Sequence, residues 1–158
     1  MKEQPFNHLD ADGKSRMVDV GHKSVTKRIA IAEGSLQVPE SVIQKLSKLP
    51  KGNPIEVARI AGIMAAKRTS DLIPLCHPIT LEKVQVDIRV EKAAIHVEAT
   101  VQCQGKTGVE MEALTAVSAT LLTLYDMLKS QSHDMTLSNI SLLEKSGGKS
   151  GTYQKSRQ

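Results

Sequence analysis

Hydrophobic and polar positions along this 158-residue chain fall into segments with two distinct periods. Around Val25 to Ala32 the residues alternate: Val25, Lys27, Ile29 and Ile31 lie on one side, Thr26, Arg28, Ala30 and Ala32 on the other. This predicts a strand-like stretch from Met17 to Leu36. Two further alternating runs, Val84, Val86, Ile88, Val90 and Ile95, Val97, Ala99, Val101, Cys103, are joined by a short polar link at Glu91-Lys92. They predict an antiparallel hairpin with one buried face. Between these strands the period changes. Pro39-Glu40-Ser41 opens a helical stripe through Val42, Ile43, Leu46 and Leu49. Asn53-Pro54 with Glu56 predicts a capped helix from Pro54 to about Thr69, and its Gly62 and alanines suit close packing. The longest helix is expected from Val109 to about Gln131, followed by a strand over Met135–Leu143.

The order β-α-α-β-β-α-β predicts an α+β fold of ferredoxin-like class, an antiparallel sheet with helices packed on one face. Repeated βαβ units are missing, which argues against a doubly wound parallel sheet. Length and pattern suggest a polar, mobile N-terminal arm over residues 1–15, one domain over 16–151 and a C-terminal tail over 152–158. Leu114, Val117, Leu121, Leu122, Leu124 and Leu128 cover much of the long helix's circumference. A helix apolar on more than one side is expected to meet a partner subunit as well as its own sheet.

Composition removes several classes of function. Apolar residues make up 40% and charged residues 24%, an ordinary globular balance. The most apolar stretch, from Val109 to Leu128, carries Glu110, Glu112 and Asp126, so no membrane span is expected. No signal peptide is visible at the N-terminus, so a cytoplasmic protein with reduced thiols is expected. Net charge is +4, but Phe6, Tyr125 and Tyr153 are the whole aromatic complement, too few to stack single-stranded bases. A small phosphorylated ligand fits this composition better than nucleic acid.

Four places carry candidate chemistry. Gly105-Lys106-Thr107 and Gly148-Lys149-Ser150 look like phosphate loops, but Thr100 and Leu143 occupy the positions where that motif requires glycine. The segment 145–151 still offers three glycines, Lys145, Lys149 and two serines, a composition able to wrap an anion or simply to form a soluble tail. Cys76-His77 sits between Pro74 and Pro78. No other histidine has ligand spacing, so neither a metal nor a cofactor is expected. Neighbours on an extended chain point apart, which disfavours a Cys76–His77 nucleophile pair. Asp126 and Lys129 share a helix face amid apolar neighbours, with Glu112 nearly in line four turns earlier. Such a pair is either a surface ion pair or a desolvated acid/base couple with displaced pKa values. Finally, Lys51 stands in a Pro-Lys-Gly-Asn-Pro turn where packing does not account for it.

Several of these segments are long and unusual. Met-Val-Asp-Val-Gly at 17–21, Ala-Arg-Ile-Ala-Gly-Ile at 58–63 and Asp-Leu-Ile-Pro-Leu-Cys-His-Pro at 71–78 resemble the cyclic pyranopterin monophosphate synthases of molybdenum cofactor biosynthesis. So do Gly-Lys-Thr-Gly-Val-Glu-Met-Glu-Ala-Leu-Thr at 105–115, Tyr-Asp-Met at 125–127 and Lys-Ser-Gly-Gly-Lys-Ser-Gly at 145–151. The resemblance implies a ferredoxin-like fold assembled as a homohexamer, a trimer of dimers with sites at subunit interfaces. It implies a lyase that converts 3′,8-cyclised dihydro-GTP to cyclic pyranopterin monophosphate with release of diphosphate. In the family's pattern Asp126, Lys129 and Lys51 match catalytic positions. Leu75, Cys76, His77, Met111 and Glu112 match substrate-contacting positions, and Arg28, Lys67, Lys145 and Lys149 match basic positions near the phosphates. Asn53 stands where the family usually has aspartate. Two alternatives are a non-catalytic nucleotide- or polyanion-binding module and a metal-dependent hydrolase.

Overall fold

The computed structural model describes residues 9, 12–46, 52–149 and 151–156. In chain order its elements are β1 (Thr26–Gln37), α1 (Glu40–Ile43), α2 (Pro54–Ala66), α3 (Thr69–Leu72), β2 (Lys83–Val90), β3 (Ala94–Gly105), α4 (Glu110–Leu128), β4 (Thr136–Ser146) and β5 (Tyr153–Gln154). One antiparallel sheet runs β2-β3-β1-β4-β5, and α2 and α4 pack together against it. This is the expected α+β arrangement.

The hairpin follows the predicted alternation. Val90 pairs with Ile95, and Ile95, Val97, Ala99, Val101 and Cys103 are all buried, because alternate residues of β3 point under the helices. On β1, the residues paired with that buried set are Arg28, Ala30, Ala32, Gly34 and Leu36. The opposite face carries Glu33, Glu98 and Asp87 side by side across three strands. β4 has two register shifts against β1, and Asn139, with φ 56, lies in the second, opposite Gly34. A side chain at Gly34 would collide with Val117 and Leu121, so glycine there lets α4 lie close on the central strand.

The helices follow their local signals with some corrections. Asn53 caps α2, its Oδ1 accepting from the Ile55 and Glu56 amides at 3.1 and 3.4 Å. Glu56 engages the Arg59 guanidinium at 3.2 Å. The helix expected from Pro39 is a single turn, Glu40–Ile43, with Val42 as its buried residue; Leu49 lies outside the described residues. The first strand starts at Thr26 rather than Met17, because backbone groups of 18–23 are used elsewhere. The Val18 carbonyl meets His77, the Gly21 carbonyl accepts from Lys106, and the Lys23 amide closes a turn onto the Val20 carbonyl. The last strand extends past Leu143 to Ser146, and Tyr153–Gln154 pairs with Glu144 and Lys145 as a fifth strand. Near the N-terminus, Leu9 and Ser15 form an isolated bridge.

Along α4, Ala113, Ala116, Val117, Thr120, Leu121, Leu124 and Leu128 form the wholly buried stripe. Each buried leucine there contributes about 2 kcal/mol. Leu122 lies outside the stripe at 60% exposure. Helices α2 and α4 meet where Gly62 faces the Thr120 hydroxyl and the Ala116 carbonyl; a Cβ on Gly62 would overlap Thr120. Thr120 is itself held by donating to the Ala116 carbonyl at 2.8 Å, so it has little room to give way. Gly62→Ala is therefore expected to lower stability by about 1–3 kcal/mol through overpacking, despite a helix-propensity gain of about 1 kcal/mol. Urea unfolding measures this, and an unchanged or raised midpoint would show that the helices can separate without penalty.

Candidate functional site

Because β3 and β4 both run antiparallel to β1, they end beside the start of β1, and three loops converge there. They are the segment after Val18, the turn Gly105–Gly108 and the glycines after Ser146. Loop 73–79 closes the group from the side.

Two adjoining cavities result. The first, about 280 Å³, is bordered by Val18, Val20, Leu75, Cys76, His77, Ile79, Met111 and Glu112. The second, about 190 Å³, is bordered by Arg28, Ile29, Lys106, Lys145, Ser146 and Gly147. Lys23, Thr107, Gly108 and Glu110 line both and form the divide between them. The first therefore offers a mixed apolar and acid/base lining, and the second a basic one.

Five residues matched by resemblance, Leu75, Cys76, His77, Met111 and Glu112, line the first cavity together. Cys76 and His77 both border it, against the expectation from an extended chain, because the Cys76 amide turns back onto the Ile73 carbonyl at 3.1 Å. The His77 Nε2 lies 2.8 Å from the Val18 carbonyl. A carbonyl only accepts, so Nε2 carries the proton and ties loop 73–79 to the segment before β1. Burial and the nearby Glu112 carboxylate push the Cys76 thiol up from its ordinary value, which disfavours a thiolate nucleophile.

Glu112 is the most unusual group in the site. It is 3% exposed in the first turn of α4. Burial pushes its carboxyl up to about 7; its own backbone N–H opposes this and the neighbouring Glu110 adds to it. A carboxyl titrating near neutrality can both give and take a proton at physiological pH.

In the second cavity Lys145 extends from the end of β4 to Glu110, Nζ to Oε1 at 3.1 Å, and so belongs to the sheet rather than to a loose tail. Lys106 donates to the Gly21 carbonyl at 2.7 Å. Gly108 leaves room for the Glu110 carboxylate, which would overlap any side chain there. Lys23, Lys106 and Glu110 were not singled out from sequence. The only signal is indirect: Lys106 sits in a Gly-Lys-Thr turn that lacks the first glycine of a phosphate loop, and Glu110 is two residues from Glu112.

The remaining candidates among the described residues are elsewhere. Asp126 and Lys129 form an ion pair at 2.6 Å, but at the far end of α4, about 21 Å along the helix from Glu112 at 1.5 Å per residue. Lys129 is 49% and Asp126 59% exposed, so within a single chain the pair takes the first of the two readings, a surface ion pair. The hydrogen bond and charge of Asp126 hold the Lys129 ammonium above its usual value, the reverse of a lowered lysine. Leu124 and Leu128 point into the core instead of covering the pair. Lys67 caps the C-terminus of α2, exposed, and is not among the residues lining either cavity; the same holds for Lys149. Lys51 lies outside the described residues. Among the described residues no group of three or more His, Cys, Asp or Glu could hold a metal ion, and no helix is long and apolar enough to cross a membrane.

The pKa of Glu112 has a consequence for stability. It is raised above the ordinary carboxyl value, so between about pH 4.5 and about pH 7 the folded chain binds more protons than the unfolded one. This contribution is fully present below pH 4.5 and is lost as pH rises through 7. Glu112→Gln should remove that loss. At pH 8 the variant is expected to gain up to about 3 kcal/mol relative to the parent, and at pH 4 to match it. Urea denaturation at both pH values measures the difference, and equal differences at the two would show that Glu112 titrates normally.

Known proteins place the chain in a family. Residues 17–148 match the MoaC family. A protein of Parvibaculum lavamentivorans named cyclic pyranopterin monophosphate synthase is 54% identical over 158 residues, covering 98% of this chain and 99% of its own length. One of the same name from Chloroflexus aurantiacus is 53% identical, covering 96% of each chain. A Drosophila melanogaster protein named Molybdenum cofactor biosynthesis protein 1 is 53% identical over 148 residues, which are 91% of this chain but 26% of that longer one. The match spans both cavities and nearly the whole described fold, and this chain belongs to the MoaC family.

Proposed function

We propose that this chain is a cytoplasmic cyclic pyranopterin monophosphate synthase, taking 3′,8-cyclised dihydro-GTP to the cyclic monophosphate and diphosphate. The observation that carries this reading is the paired cavity: an acid/base pocket around Glu112 and His77 adjoining a basic pocket around Lys106 and Lys145. The substrate has the same two parts, a purine-derived ring system and a triphosphate. Neither cavity alone is large enough for a nucleoside triphosphate, and their shared wall lets one molecule span both.

The chemistry suits these residue types. Opening the five-membered ring of the purine and closing a pyrazine move protons among several nitrogens and hydroxyls. Glu112, with its carboxyl near 7, can exchange protons with the ring system at neutral pH. His77, whose Nε2–H donates a hydrogen bond to the Val18 carbonyl, keeps Nδ1 for a substrate contact. Forming the cyclic phosphate makes a new P–O bond from a ribose hydroxyl to the α-phosphorus and breaks the bond to the departing diphosphate. The charge growing on that diphosphate is offset by cations at Lys23, Lys106 and Lys145. The catalytic roles of Lys51, Lys129 and Asp126 are carried by resemblance. Incubation with 3′,8-cyclised dihydro-GTP is expected to release diphosphate and yield a fluorescent pterin after oxidation. Lys51→Ala and Lys129→Ala should fold normally yet lose product by more than about a hundredfold, as removal of an acid/base group does. Near-parental turnover by either would remove its assignment.

The site is completed in this reading by a second copy, in a hexamer built as a trimer of dimers. Support comes from surface chemistry. Val57, Ile60 and Met64 make an exposed apolar stripe on α2, and Leu122 is exposed on α4 four residues before Asp126. A copy docking there would cover the Asp126–Lys129 pair and set it against its own cavity. Mixing His77→Ala and Lys129→Ala subunits then restores part of the activity, up to about a quarter in random dimers with two sites each, since one site in a mixed dimer is intact. No recovery on mixing, with subunit exchange shown by mass spectrometry, would place both residues in one subunit's site.

A further inference from the structure

Arg28 matches a phosphate-facing position by resemblance, but its guanidinium is already committed within the chain. Nε donates to the Gly105 carbonyl at 3.3 Å, Nη2 to the Lys106 carbonyl at 3.2 Å and Nη1 to the Gly147 carbonyl at 3.1 Å. The fork is planar and rigid, so three acceptors fixed on it also fix the two segments relative to each other. The glycines after Ser146 are shaped to receive it. Gly147 and Gly148 have φ of 98 and 73. A Cβ at Gly148 would lie on the guanidinium, and one at Gly147 on the Lys27 carbonyl. The turn held on one side carries Lys106, and the strand end held on the other carries Lys145; both line the basic cavity.

We propose that Arg28 is a positioning residue: a clamp that, by holding three carbonyl oxygens, sets the spacing between the Lys106 and Lys145 walls. It acts on the phosphates through those walls. The inference rests on the reading of the second cavity as the phosphate site. Two of the three carbonyls, those of Lys106 and Gly147, belong to residues that line that cavity, where unengaged carbonyl oxygens would repel phosphate.

Arg28→Lys keeps the charge and loses the fork, while Gly148→Ala keeps Arg28 and displaces its guanidinium. Two readouts are needed, binding of inorganic tripolyphosphate by calorimetry and amide hydrogen exchange of the ligand-free protein. Each single variant is expected to weaken tripolyphosphate binding roughly tenfold, the effect of losing a hydrogen bond to a charged group, and the double variant no more than the weaker single. Both should speed exchange at 105–108 and 146–149, with the β2–β3 hairpin at parental rates and the thermal midpoint within about 3 °C. Unchanged exchange in Arg28→Lys, with affinity losses that add in the double variant, would make Arg28 a direct ligand and overturn the clamp. Faster exchange throughout the hairpin would reduce it to general support of the fold. If the parent protein binds no tripolyphosphate, the phosphate reading fails, and local exchange at the two segments still decides whether Arg28 clamps them.

Discussion

The antiparallel pairing of β1 on both of its edges is the constraint from which the site follows. β3 and β4 flank β1 on its two edges within one sheet, and each must finish where β1 begins: Gly105 opposite Thr26, Ser146 opposite Ile29. Two loops far apart in sequence are thereby delivered to one place, along with the segment that leads into β1. Helix α4 starts immediately after the first of these loops, so its first turn brings Glu110, Met111 and Glu112 to the same end. The small residues that let α4 sit close to the sheet and to α2, Gly34 and Gly62, maintain this geometry at a distance from the cavities.

Electrostatics at this end are divided by the same architecture. Glu112 points inward among buried groups and is pushed toward neutrality by desolvation, whereas Glu110, one turn-edge away, reaches the Lys145 ammonium. The contrast separates a proton-exchanging pocket from a charge-binding one within a few residues of chain, as environment alone can do for two like carboxylates. The Asp126–Lys129 pair at the opposite end of α4 follows the opposite rule. It is exposed, and Asp126 holds the Lys129 ammonium above its usual value, so Lys129 keeps its charge within a single chain.

What could be read directly were the features that depend on neighbours in sequence. Alternation identified β2 and β3 and their buried faces, the Asn53-Pro54 cap located α2, and the order of elements led to the α+β class. The Leu75-Cys76-His77 and Met111-Glu112 pairs were recognisable as motifs, and they do line one cavity. The strand expected from Met17 was misplaced because its backbone groups are taken by His77 and Lys106, partners more than fifty positions away that no local period reveals.

Local periodicity and capping are properties of adjacent residues, so the sequence alone determined β2, β3, α2 and α4, the buried faces of the hairpin and the family's characteristic residue pairs. Which side chains share a cavity depends on strand register and helix packing, and those arise only when distant segments compete for the same hydrogen bonds and the same space. Tertiary structure therefore decided that Lys23, Lys106 and Glu110 join the site and that Arg28 faces three carbonyls. It also decided that Asp126 and Lys129 stand in solvent, because the turns of α4 that point to the core were chosen by the sheet beneath it.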